Sequence, residues 1–361
     1  MIGTPIAELD TPALLLDMAA LEHNIGVIAE HYRGRSIRLR PHGKNHKCPR
    51  ILAMQIEAGG TVGGVCAAKV SEAEAFVHAG AARNVLVANQ VVAPRKIRRL
   101  AALAHAADVM VAIDHETQID RLEAGARQED ATIGVVIEID TTMGRGGVRS
   151  IDQAVRLARR VGEATHLAFR GVMSHQTPSV AEPTRDERFV EGGRAIDKVL
   201  AAKRAIEAVG IAVDVVSTGE SWTYDVAATY PEVTEIEGGT YVVMEMAYGY
   251  MAEFRQAVRI MGRVVERPDA HTAIGDVPID AIAAPRGLPS LADLPGVAVT
   301  ALDHHGVTLE SDGEMPLALS EPFFLRTHQQ DMTMNRWERF LGVRDGRVCT
   351  VFHADARGRV H

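Results

Sequence analysis

The chain has 361 residues, 47% hydrophobic and 4% aromatic, and its 39 Lys and Arg against 47 Asp and Glu give a formal charge of −8. This is a globular composition with length for about two domains, and without a Lys/Arg-rich run it lacks the counter-ion footprint of a nucleic-acid-binding surface. There is no signal-peptide pattern and no window of about 18 uninterrupted apolar residues, which predicts a cytoplasmic protein with no membrane partner. The three cysteines, Cys48, Cys66 and Cys349, are too few and scattered for a disulfide framework or a paired-thiol zinc site.

The first strand expected is 13–16, which precedes a helix from near Asp17. From residue 36 to about 240, short β-branched or apolar runs alternate with segments of helical period. The runs are 37–40, 61–66, 84–89, 108–113, 133–139, 167–173, 212–216 and 233–236, eight candidate strands. Between them, Ser71 and Glu74 have capping-box spacing and Gly80 is placed to end that helix. Ile97, Leu100, Leu103 and Ala104 recur at helical spacing, as do Val155, Leu157, Ala158 and Val161. The segment 187–209 reads as the longest helix.

Eight strand–helix repeats over about 200 residues predict a (β/α)8 TIM barrel, whose strands are buried on both faces and so read as apolar runs. A doubly wound open sheet has the same alternation. Past Ala252, runs at 258–265, 297–302, 317–319 and 347–352 are separated by Gly, Pro and Asp turns. They predict a mostly antiparallel C-terminal β domain. The strand at 13–16 has no place in the eightfold count, so the domains expected are a barrel over 17–252 and a β domain from 1–16 and 253–361.

In such a barrel, chemistry sits at the carboxyl ends of the strands. Strand one runs into Arg40-Pro41-His42-Gly43-Lys44-Asn45-His46-Lys47. A lysine crowded by like charge and partly buried has a depressed pKa, which suits a nucleophile or proton carrier. The competing reading is an exposed basic loop. After strand seven comes Ser217-Thr218-Gly219-Glu220-Ser221, and after strand eight Glu237-Gly238-Gly239-Thr240-Tyr241. Small residues with free amides there make an anion nest of the kind that holds a phosphate, from which Glu220 must point away. A lysine facing a phosphate nest across the barrel mouth suggests pyridoxal 5'-phosphate, which withdraws electrons from whatever bond the protein aligns with its ring. After strand five, Arg145 in Met143-Gly144-Arg145-Gly146-Gly147 is placed to bind a carboxylate or the phenolic oxygen of the cofactor; a salt bridge to Asp140 is the alternative.

The chain resembles the fold-type III pyridoxal-phosphate enzymes of the D-threonine aldolase and D-serine dehydratase family, relatives of alanine racemase. The residues that carry the resemblance run through nearly the whole length. They are Thr11-Pro12-Ala13 leading to Leu21-Glu22-His23-Asn24-Ile25, the block 40–47, Ala88-Asn89-Gln90, Glu138-Ile139-Asp140 with Gly144-Arg145, the two phosphate turns, and Met244-Glu245 followed by Tyr248. The resemblance puts Lys44 at the Schiff-base position. It implies cofactor contacts from His42, Gln90 and Arg145, and from Ser217, Gly219, Ser221, Gly239, Thr240 and Tyr241. It also implies a homodimer in which a partner's β domain helps close the site.

The family places a divalent metal near the lysine, held by a His and an Asp or Cys one residue apart. In 327–335 of this chain, Gln329 stands where that histidine belongs, leaving His328 and Asp331 as candidate ligands. On a regular strand they face opposite ways, and a bulge is needed to bring them together. An imidazole and a carboxylate suit manganese, magnesium or zinc alike. His305 lies in a second family-like stretch, and His304 reads as surface. His175 stands where relatives commonly carry a tyrosine beside the cofactor.

The activity this implies is a lyase acting on a small-molecule β-hydroxy D-amino acid, by retro-aldol cleavage to glycine and an aldehyde, with Lys44, His328 and His175 as catalytic candidates. A dehydratase for D-serine or 3-hydroxy-D-aspartate, an amino-acid racemase with Tyr248 or His175 as second base, and a non-catalytic cofactor carrier are the alternatives.

Overall fold

The computed structural model describes all 361 residues. They divide into two compact units, one of 28–44, 51–239 and 359–361, the other of 1–27, 45–50 and 240–358. The first strand, β1 (Ala13–Asp17), lies in the second of these. The first unit contains β2 (Arg38–Leu39), β3 (Val65–Ala67), β4 (Asn84–Val87), β5 (Asp108–Ile113), β6 (Ile133–Glu138), β7 (Leu167–Ser174), β8 (Val215–Thr218) and β9 (Glu235–Ile236). These pair in parallel in the order β2-β9-β8-β7-β6-β5-β4-β3. Parallel bridges Leu39↔Thr61 and His42↔Cys66 join the two outer strands, so the sheet closes and has no free edge. This is the eightfold barrel the alternation predicts, with every residue of β6 buried.

Period-two alternation sorts the interior into three layers. The lowest is a polar chain: Arg40 donates through Nε and Nη2 to Glu235 at 2.6 and 2.8 Å and through Nη1 to Asn84, Asn84 donates to Asp108 at 2.9 Å, and Asp108 accepts from Arg170 at 3.1 Å. Above it lies an apolar cluster that includes Leu86, Met110, Val136 and Met173 with Val215 packed against it. Two residues further along their strands, Glu138, His175 and Ser217 follow Val136, Met173 and Val215, and with Glu237 they form the upper layer.

The outer helices differ from the sequence reading in one cap. Helix Val70–His78 starts after Lys69, and Ser71 is buried in its first turn. The free amide of Ala68 is met by Glu72 at 2.8 Å, while Glu74 pairs with Arg99. The Ser71–Glu74 box therefore does not form, because the helix begins one residue before the serine that would cap it. Gly80, with φ +70°, ends the helix as expected. The longest helix, Arg185–Glu207, is closed by a capping box of Thr184 and Glu187.

In the second unit, β1 pairs antiparallel with β10 (Val258–Glu266). The further strands are β11 (Thr272–Gly275), β12 (Ser290–Leu291), β13 (Val297–Leu302), β14 (Val307–Ser311), β15 (Pro322–Arg326), β16 (Arg339–Arg344) and β17 (Arg347–His353). The sheet order is β13-β14-β11-β10-β1-β16-β17, with β15 pairing β10 and β12. Only the β1–β16 pair is parallel. The strand at 13–16 thus belongs to the β unit, as its lack of a barrel place implies.

Two readings in this unit are corrected. Residues 317–319 form no strand: the amide of Glu321 reaches back to Ala318 O at 3.1 Å and Ser320 takes φ +68°, a turn that delays the strand to Pro322. The stretch 327–335 is not extended either. Gln330–Met334 is a short helix after Gln329, seeded where the Gln330 amide donates to the buried Glu245 carboxylate at 2.9 Å. No helix is long and apolar enough to cross a membrane.

Candidate active site

Lys44 stands at the end of β2. A Cβ on Gly43 would collide with the Phe76 ring, so only a glycine lets the chain pass this close to helix Val70–His78 and present Lys44 in the turn Gly43–Asn45. Lys44 is half-buried, and its ammonium is near enough to His175 and Cys66 for its charge to act on both. His42 is buried beside it, its amide donating to Gly238 O at 3.0 Å and its ring nearly parallel to that of His175, centroids 6.3 Å apart.

The turns after β8 and β9 lie side by side, the Glu237 amide donating to Gly219 O at 3.0 Å. Gly219 has φ +118°, and a Cβ there would sit 2.7 Å from Ile236. At Gly238 it would sit 2.8 Å from Leu39 and 3.6 Å from Ser221 Oγ. Neither turn has room for a side chain, so glycine is what lets both backbones pass this close to their neighbours. Arg188, on the longest helix, pins the turn from behind through Trp222 O at 2.6 Å and Asp225 at 2.7 Å. Nothing in the local sequence marks that arginine, which lies 34 residues before its carbonyl partner. Glu220 points toward His175, removing the repulsion its position in the motif raised.

The upper layer of the barrel is crowded with carboxylates. Glu237, fully buried, accepts from Ser217 Oγ at 2.8 Å and Cys66 Sγ at 3.2 Å and lies 3.9 Å from His175 Nδ1. Burial pushes its carboxyl up to about 7, against the His175 charge; the charge of Glu220 adds to the rise and the two hydrogen bonds oppose it. Burial also raises the Cys66 thiol well above its usual range, Glu237 reinforcing it, so this thiol is not a nucleophile. Burial works against the His175 imidazolium, but the bond to Glu220 at 3.1 Å and the charges of Glu237 and Glu220 outweigh it and hold the pKa at about 9. Glu138 is raised by burial too, with His175, Gln90 and Arg145 pulling it back. Gln90 donates directly to that carboxylate.

Arg145 is exposed on the loop after β6, and its charge reaches Glu138. The Asp140 salt bridge forms with Arg149 instead, at 3.2 Å, while the Asp140 carboxylate also accepts from the Gly144 amide at 3.0 Å. A cavity of about 510 Å³, lined by Asp140, Thr141, Arg149 and Lys198 among others, opens on this loop without including Lys44.

Of the other predicted residues, Gly239 ends the barrel unit, whereas Thr240 and Tyr241 open the second unit in the turn Thr240–Val242. There Thr240 Oγ1 accepts from Asn45 at 3.4 Å and the Tyr241 ring packs on Phe254. His328 precedes the helix Gln330–Met334 and faces Gly287, and Asp331 lies within that helix. No group of three or more His, Cys, Asp or Glu side chains anywhere in the chain is arranged to hold a metal ion. His328 and Asp331, on different local structures with no third donor, do not fit a divalent cation by themselves.

A closed parallel barrel with a lysine at the end of its first strand and glycine turns at the ends of its last two, in a chain that also carries a mostly antiparallel β unit, defines the alanine racemase-like fold. The sequence profile of the alanine racemase N-terminal domain matches residues 16–246. The chain is 33% identical to a 3-hydroxy-D-aspartate aldolase of Paracoccus denitrificans (strain Pd 1222), over 99% of this chain and 94% of that protein. It is 30% identical to a D-threonine aldolase of an Arthrobacter species, over 99% and 95%. The crystal structure of D-threonine aldolase from Filomicrobium marinum superposes with a TM-score of 0.94 at 33% identity, covering 100% of this chain and 99% of that one. The chain therefore belongs to the fold-type III pyridoxal-phosphate enzyme family, on the aldolase side of the alanine racemase fold.

Proposed function

We propose that this chain is a pyridoxal-phosphate lyase that cleaves a β-hydroxy D-amino acid into glycine and an aldehyde. The observation that carries the reading is the pairing, in one barrel mouth, of the half-buried Lys44 with the adjoining glycine turns at Gly219 and Gly238. Two adjacent side-chain-poor turns at the ends of the last two strands suit the phosphate of the cofactor, and a primary amine suits its aldehyde. Bound there, the cofactor supplies the electron sink for the bond broken at Cα.

The remaining work falls to side chains. The amides of the two turns hold the phosphate, with Arg188 keeping the first turn in place. Lys44 is the residue that would hold the cofactor aldehyde, and as a primary amine at that place it would carry a proton to or from Cα. Arg145 binds the substrate carboxylate. Cleavage moves the hydroxyl proton to a base, turns the Cβ–O bond into the carbonyl of the leaving aldehyde and leaves the bonding pair on Cα, which takes up a proton to give glycine. Since His328 and Asp331 do not by themselves fit a metal ion, no step is assigned to one.

The test is a spectrophotometric screen of β-hydroxy D-amino acids, 3-hydroxy-D-aspartate and D-threonine first, with and without a chelator and with products identified by mass spectrometry. Glycine plus an aldehyde supports the aldolase. Ammonia plus a 2-oxo acid would make the chain a dehydratase, and failure of every D-amino acid to perturb the spectrum would leave a cofactor carrier. A homodimer belongs to the proposal through kinship, and sedimentation of the purified protein checks it.

A further inference from the structure

Among the groups of the barrel mouth, His175 is the one whose partners dictate its proton count. Its Nε2 lies 3.2 Å from the carbonyl oxygen of Ala88 and its Nδ1 3.1 Å from Oε1 of Glu220. A backbone carbonyl can only accept, so Nε2 carries a hydrogen. A neutral imidazole has one N–H and one bare lone pair, which would then face the Glu220 oxygen at hydrogen-bond distance. With Glu220 ionised, only the doubly protonated ring satisfies both oxygens. The ring is buried, 6% exposed, and cannot turn to exchange partners without breaking both bonds.

We infer that Glu220 is a positioning residue that locks His175 as a permanent imidazolium, so that His175 is a fixed cation of the site and not a proton acceptor. The surroundings are consistent with a cation. The carboxylates of Glu220, Glu237 and Glu138 face it, against the single opposing charge of Lys44, with the His42 ring and the Cys66 thiol completing the wall. The pKa of about 9 agrees in direction. Resting on the lyase reading above, the consequence for chemistry is a site with one base fewer. His175 has no lone pair for the Cα proton, so it cannot be the second base that racemisation needs.

The test uses the full-length holoenzyme labelled with ¹⁵N-histidine, the His175 signals assigned by their loss in His175→Gln. Both ring nitrogens are expected to be protonated up to at least pH 8. A glutamine at 220 can turn its amide N–H toward Nδ1 and support a neutral ring, so Glu220→Gln is expected to show a singly protonated ring at pH 7.5, whereas Glu220→Asp keeps the charge and the imidazolium.

A singly protonated His175 in the wild type at pH 7.5 overturns the inference, as does an unchanged imidazolium in Glu220→Gln. Should Glu220→Gln fail to fold, the wild-type spectrum alone decides. Because the nitrogen shifts are read without turnover, loss of the lyase reading in the substrate screen and loss of this inference are separate results.

Discussion

The lower and upper polar layers of the barrel each bury charged groups, Arg40 with Glu235 below and Glu237 with His175 above, and these end up in opposite states. Below, Arg40 and Glu235 meet as a two-pronged pair, and Asn84 passes the contact on to Asp108 and Arg170. Above, three carboxylates, Glu138, Glu220 and Glu237, surround one imidazole, and the charges do not balance. A matched pair in a low-dielectric interior stays fixed, because each charge is stabilised only by the other. In an unmatched cluster burial opposes ionisation of every carboxylate at once: Glu138 is raised, and Glu237 is raised to about 7, where proton transfer is useful. The lower layer is therefore structural and the upper layer chemical, with the apolar cluster around Met110 and Val136 separating them.

Four substitutions break or sharpen that contrast, the first with the largest effect. Lys44→Ala removes the anchoring amine, and the visible band of bound cofactor and turnover are both expected to vanish, with rates down by about 10³-fold or more; retention of either would sink the site assignment. In the lower layer, Arg40→Met leaves the Glu235 carboxylate buried and alone. It is expected to cost about 3–5 kcal/mol in chemical denaturation, and the double change Arg40→Met with Glu235→Leu is expected to recover most of it.

Glu237→Gln tests the upper layer through pH. The Glu237 carboxyl in the folded protein is raised to about 7, above its unfolded value, so its contribution to stability is fully present below the unfolded carboxyl pKa and is lost as pH rises through about 7. The melting temperature of the variant should accordingly gain on wild type between pH 5 and pH 8; a constant difference would show that Glu237 titrates normally. The smallest effect is expected from Ser217→Ala, which removes one donor to the Glu237 carboxylate at a cost of about 1–3 kcal/mol. Removing that donor should also shift the Glu237 titration further upward.

The barrel was legible because its signals are local. Strand runs such as 108–113 and 133–139 are apolar since both their faces are buried, and Gly219 and Gly238 stand where a side chain has no room. The short helix Gln330–Met334 is not legible in the local sequence, because the Glu245 carboxylate that receives the Gln330 amide lies 85 residues away. Likewise Arg149, not Arg145, took Asp140, a choice set by how the glycine loop folds and not by spacing.

The sequence by itself determined the eightfold alternation, the lysine that follows strand one and the two glycine turns, because periodicity and steric room act over a few residues. Only the tertiary structure decided that Glu220 turns to His175, that Glu237 is buried beside them, and that the Ala88 carbonyl closes the other side of the ring. Those three partners lie just past the ends of three different strands, and a proton's position depends on which oxygens barrel closure brings within hydrogen-bond reach.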